Sequence, residues 1–204
     1  MGELFHPNIE HSSSPTEVQA GVIFVDLDKT FLDGTVINMT DEELVNAGLI
    51  ANTLTLVRRA NDLGIPVVMV TRNSMELIER FFAAKPELRC LFDETIPCET
   101  GQKSEPIKSF LTNNQIDPKK AIFVDDTAGE LADVESNSEG TIAIKPQETG
   151  DINLKSADAE TSLTKIEVRK KIKRLLALYP LMRQKIVNWL KSSFADADYV
   201  NLTA

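Results

Sequence analysis

Apolar residues in this chain come in short unbroken blocks, each followed by polar residues and then a stretch of helical period. The block at 22–25 (VIFV) is wholly apolar and rich in β-branched residues, so it reads as a strand buried on both faces, as inside a parallel sheet. The blocks at 66–70 (PVVMV), 122–124 (IFV) and 141–144 (TIAI) read the same way, and Leu91, Phe92 and Ile96 suggest a weaker strand among them. Between the blocks, Thr40 or Asp41 is placed to cap a helix that continues through 44–63 and stops at Gly64. Further helices are expected at 74–84, 105–113 and 128–137. Regular alternation of strand and helix predicts an α/β fold: a parallel sheet of about five strands with helices on both faces.

The flanks differ from this core. Residues 1–18 are polar and read as a flexible lead-in, leaving 19–146 as the sheet domain. Residues 147–164 carry few apolar positions and read as a linker. Residues 165–204 then form a C-terminal α-helical segment, two basic amphipathic helices broken at Pro180. Charge sharpens this division. The stretch 165–191 holds nine Lys/Arg and one acid, against a net charge of −9 for all 204 residues. The body is therefore strongly acidic, which argues against nucleic acid as a partner. The basic segment suits an anionic membrane surface or an acidic partner. Packing on the sheet domain or on a second copy in an oligomer is the favoured alternative. The start lacks the apolar run of a secretion signal, and His6 stands where a myristoylation motif has Ser or Thr. Cys90 and Cys98 are not spaced as a metal or redox pair. A cytoplasmic location follows as the expectation, with peripheral membrane association as a variant of it.

The chemistry-bearing residues gather where the strands end. Asp26 ends the 22–25 block and Asp28 lies two residues on; Thr71, Arg72 and Asn73 follow the second block; Asp125 and Asp126 follow 122–124; Lys103 opens a helix. Ligands of open α/β sheets bind at these carboxyl ends. Singly, each feature has a bland reading: turn chemistry for the D-x-D, a helix cap for Thr71, dipole complement for the Asp pair, a surface charge for Lys103. Jointly, the four patterns VDLDKT (25–30), VVMVTRN (67–73), GQKSEP around Lys103 and IFVDDTAGE (122–130) resemble the four motifs of the haloacid dehalogenase (HAD) superfamily in its phosphatase form. A receiver-type domain would have its acidic pair after the first strand rather than the fourth. A catalytically silent HAD-like binding module would be expected to lack Asp26, Asp28 or Lys103.

The resemblance covers roughly 21–145 and implies a Rossmann-like sheet and a phosphoric monoester hydrolase. It implies that Asp26 is the nucleophile and Asp28 the acid/base, with Thr71 and Lys103 on the phosphate and Arg72 and Asn73 as further candidate contacts. It also implies a metal site at Asp26, the Asp28 backbone, Asp126 and Asp125, and a bracing role for Thr30. Lys108 is a rival for Lys103. Clustered carboxylates need a cation, and an all-oxygen donor set suits Mg²⁺. Lys29 departs from the small residue common at its place. The spacing from Asp26 to Thr71 is 45 positions and from Thr71 to Lys103 32, too short for an inserted cap domain. The chain is thus similar to the capless branch, which includes magnesium-dependent protein tyrosine phosphatases. A phosphorylated protein or peptide is the expected substrate, phosphotyrosine ahead of phosphoserine, with a small phosphorylated metabolite as the alternative.

Overall fold

A computed structural model describes residues 16–156. Five strands form one parallel sheet: β2 (Val22–Val25), β3 (Val67–Thr71), β4 (Glu94–Pro97), β5 (Ala121–Val124) and β6 (Ile142–Ile144), in the spatial order β4-β3-β2-β5-β6. Every residue of β2, β3 and β5 is buried, as their unbroken apolar runs require. Side chains leave the sheet on alternate faces, so β2 feeds two cores. Ile23 and Val25 pack with α2 (Ala51–Asp62) and α3 (Met75–Ala84); Val22 and Phe24 pack with α4 (Ser104–Asn113) and α5 (Ala128–Asn137). The chain winds outward through β3 to β4 on one side of β2, then returns to build β5 and β6 on the other. Strand order therefore reverses beside β2, and a crevice opens at its carboxyl end.

Three local expectations change. The helix expected through 44–63 is two helices, α1 (Asp41–Asn46) and α2, with Thr40 and Glu43 forming a reciprocal cap on α1. The break has a tertiary cause. Asp33 N–H donates to the Gly48 carbonyl and Ile50 N–H to the Phe31 carbonyl, so residues 48–50 serve the loop after β2 instead of continuing a helix. Gly64 ends α2 in left-handed backbone (φ 77°). Secondly, the lead-in expected to run through Val18 becomes β1 (Thr16–Ala20), and the expected linker from 147 begins with a 3-10 turn and β7 (Ile152–Ser156). These strands pair in parallel, with Val18 opposite Leu154. Two alternating apolar residues in each are too few to signal a strand. Burial of Val18, Ala20 and Leu154 against the α2 side of the sheet stabilises the pair. Thirdly, the weak strand near Leu91 shifts to Glu94–Pro97, an edge position that tolerates proline. No described helix is long and apolar enough to cross a membrane. The expected basic helices of 165–204 lie outside the described residues.

Candidate active site

The site is built from the ends of β2, β3 and β5 and the start of α4. Asp26 leaves β2 with its N–H on the Val124 carbonyl (3.0 Å), which fixes it against the end of β5. The chain then turns sharply: Phe31 and Leu32 N–H both donate to the Leu27 carbonyl, and Lys29 takes left-handed backbone (φ 54°). The tight turn buries Phe31 and Leu32 and brings Thr30 back to the motif after β5, where its Oγ1 accepts the Asp126 N–H (3.0 Å).

Lys103 is the hub. Its Nζ donates to Asp26 Oδ1 and to Asp125 Oδ2, both at 2.7 Å, and all three side chains are almost fully buried. Asp125 is held from its other side, Oδ1 accepting the Thr127 N–H (2.8 Å). Lys108, the rival for this place, is exposed along α4. Burial is the main influence on the Asp26 carboxyl and pushes its pKa up to about 7; Lys103 opposes this, and Asp125 adds repulsion. Burial alone would lower the Lys103 pKa, but the two carboxylates outweigh it and hold the ammonium above its ordinary range.

Carboxylate oxygens of Asp26, Asp125 and Asp126 lie within 4.8 Å of one another, close enough to share one metal ion. With all three ionised and Lys103 protonated, the cluster has two uncompensated negative charges. An all-oxygen, doubly negative donor set matches a small hard divalent cation. The Asp28 carboxylate stands apart from this triad. Its Oδ1 accepts the Val36 N–H (2.9 Å) and its Oδ2 the Asn73 amide (3.0 Å). The same amide donates to Thr71 Oγ1 at 3.0 Å, so Asn73 links the acid after β2 to the hydroxyl ending β3.

Structures of other proteins share this architecture. The N-terminal part of a Bacteroides fragilis protein, containing a phosphatase domain and complexed with Mg, aligns over 74% of this chain with a TM-score of 0.55 at 17% identity. This chain spans only 40% of that structure. A HAD-superfamily hydrolase from Ehrlichia chaffeensis aligns over 78% of this chain and 98% of its own, with a TM-score of 0.50 at 18% identity. The chain shares its fold with a phosphatase domain and with a HAD-superfamily hydrolase. No protein-family model and no curated protein matches the sequence.

On this fold, Asp26, Lys103, Asp125 and Asp126 join in one cluster at the ends of β2 and β5, and Asp28 and Thr71 join through Asn73 at the ends of β2 and β3. Arg72 joins neither. Its guanidinium bonds Glu130 Oε1 and the carbonyls of Gly101 and Cys98, on the outer rim. Three supports had no signal in the sequence. Thr127 and Val36 act through backbone N–H groups, which any residue supplies. Asp133 accepts from the backbone N–H and hydroxyl of Ser104 (both 3.1 Å), anchoring the start of α4 just after Lys103, through a contact between α4 and α5 that local spacing does not encode. The thiol of Cys98 is buried, and that burial raises its pKa, opposite to what a nucleophilic cysteine needs.

Proposed function

We propose that the chain is a Mg²⁺-dependent phosphatase that hydrolyses phosphate monoesters through an aspartyl-phosphate on Asp26. The observation that carries this reading is the Lys103 bridge between Asp26 and Asp125. It holds a nucleophile-grade carboxylate at the end of a central strand, beside a cation hub and a second acid. Asp26, Asp125 and Asp126 would hold the metal, with the Asp28 backbone as a further candidate donor; when bound, Mg²⁺ supplies charge neutralisation for an anionic phosphate entering a carboxylate-rich site.

The remaining steps belong to the protein. An Asp26 carboxylate oxygen attacks phosphorus, and the bond from phosphorus to the leaving oxygen breaks. Lys103 fixes the orientation of Asp26 and offsets charge on the phosphoryl oxygens. The Thr71 hydroxyl, facing the same crevice, donates to one of them. Asp28, steered by Val36 and Asn73, gives a proton to the leaving oxygen and later takes one from the water that cleaves the acyl-phosphate. Breakdown of the intermediate returns Asp26 and releases inorganic phosphate.

The substrate we infer is a phosphorylated protein or peptide, with phosphotyrosine favoured. Support comes from the connections around the crevice. Between Asp26 and Thr71 the chain forms α1, α2 and a short turn; between Thr71 and Lys103 it forms α3, a 3-10 turn and β4. These elements complete the sheet domain and leave no cap inserted between the motifs, which favours a bulky phosphorylated side chain over a small metabolite that a cap would enclose. Hydrolysis of an aryl phosphate and of phosphotyrosine and phosphoserine peptides, set against phosphosugars and nucleotides, tests the reading. Asp26→Asn is expected to retain less than about one part in 10⁴ of the native rate. Full activity in that variant would overturn the mechanism, and turnover of the small metabolites alone would overturn the substrate class.

A further inference from the structure

Three loops around the crevice meet at one side chain. Arg72 directly follows Thr71 at the end of β3. Its Nε donates to Glu130 Oε1 at 2.8 Å, and Nη2 donates to the same oxygen. Its Nη1 donates to the Gly101 carbonyl and, at 3.4 Å, to the Cys98 carbonyl. One planar group therefore ties the end of β3 to the β4–α4 loop and to the first turn of α5. The first two carry Thr71 and Lys103, and the third directly follows the Asp125–Asp126 pair.

Lys103 is the member of the set that most needs holding. It stands at the N-terminal edge of α4, makes no capping bond there, and follows the exposed stretch 99–102, in which Gly101 takes left-handed backbone (φ 85°). Behind it, Asp133 secures Ser104. In front, Arg72 grips the carbonyl two residues upstream. We propose that Arg72 and Glu130 are positioning residues, a clamp on the 98–103 loop that delivers the Lys103 ammonium between Asp26 and Asp125. The catalytic consequence of the clamp rests on the phosphatase reading; its effect on Lys103 does not.

The residue types suit the task. A guanidinium serves a carboxylate and two carbonyls at once in a fixed plane, which an ammonium cannot do. The Arg72 side chain is 42% exposed, so the ion pair adds little to global stability. Local order and global stability are therefore separable by measurement.

The test compares the full chain with its Arg72→Ala, Arg72→Lys and Glu130→Gln variants. Lys103 acylation by an amine-reactive reagent is followed by peptide mass mapping, beside the urea midpoint and kcat/KM on an aryl phosphate. In Arg72→Ala and Glu130→Gln, Lys103 is expected to acylate about tenfold faster while the midpoint stays close to native, because only the local loop opens. Arg72→Lys should fall between, and adding Glu130→Gln to Arg72→Ala should change little, as for two parts of one unit. kcat/KM should fall in step with Lys103 exposure. Unchanged Lys103 acylation overturns the clamp, as does a rise shared by every lysine alongside a lowered midpoint. A selective rise in a native-like protein that hydrolyses no phosphate ester supports the clamp and overturns the phosphatase reading instead.

Discussion

At the residue scale the central fact is one ammonium shared by two buried carboxylates. Lys103→Met would leave the buried carboxylates of Asp26 and Asp125 without their shared cation, and breaking a buried pair in this way costs roughly 3–5 kcal/mol. Urea unfolding in a chelator should show that loss, and added Mg²⁺ should recover part of it by replacing the missing positive charge. The raised Asp26 pKa gives a second handle. In the metal-free protein the native state keeps a proton, up to about pH 7, that the unfolded chain releases near 4. Stability contributed by Asp26 is therefore present at low pH and lost as pH rises towards and through 7. Mg²⁺ held at Asp26 would compete with that proton. The gap between thermal midpoints with Mg²⁺ and with chelator should thus widen from pH 5.5 to pH 8; a constant gap would remove Asp26 from the metal site. Motif spacing made Asp26, Asp28 and Lys103 legible in the sequence. It could not distinguish Arg72 from Asn73, which are neighbours on opposite sides of a strand end: one reaches the rim and the other the crevice.

At the scale of elements, the buried strands were legible because runs of four or five apolar residues leave no other place for them. What escaped were features fixed by distant backbone partners. The interruption between α1 and α2 follows from bonds to Phe31 and Asp33, and β1 and β7 need each other before either is a strand. The turn after Asp26 shows the same dependence and accounts for Lys29. Its left-handed backbone is the conformation that glycine adopts without strain, which explains why a small residue is common at this place in proteins the motif resembles. An exposed side chain at φ 54° gains little from packing to offset the strain. Lys29→Gly should leave the fold unchanged and shift stability by no more than about 1 kcal/mol in the favourable direction, strain relief being partly cancelled by the freer unfolded chain. Lys29→Val should be destabilising, since a β-branched residue tolerates this region poorly. Chemical denaturation of the two variants checks the pair; equal stability would mean that the turn does not constrain this position.

At the scale of the whole molecule, one sheet sorts the charges and the chemistry. Its carboxyl edge holds the acids, while the Lys/Arg-rich stretch 165–191 lies beyond β7 in sequence, attached to an acidic body. A polycation tethered to a polyanion experiences a high local concentration of its partner, which a vesicle surface must outcompete. We therefore expect the basic segment to associate with the acidic body, in the same chain or in a second copy, in preference to a membrane surface. Flotation with vesicles rich in anionic lipid decides between them. At physiological ionic strength the full chain and a chain ending at residue 164 should both remain in the dense, lipid-free fractions. Light scattering of the full chain, at low and high salt, then separates docking within one copy from docking between two: only the latter lowers the measured mass as salt screens the contact. Flotation of the full chain alone would overturn the self-association argument and assign residues 165–194 to an anionic membrane surface.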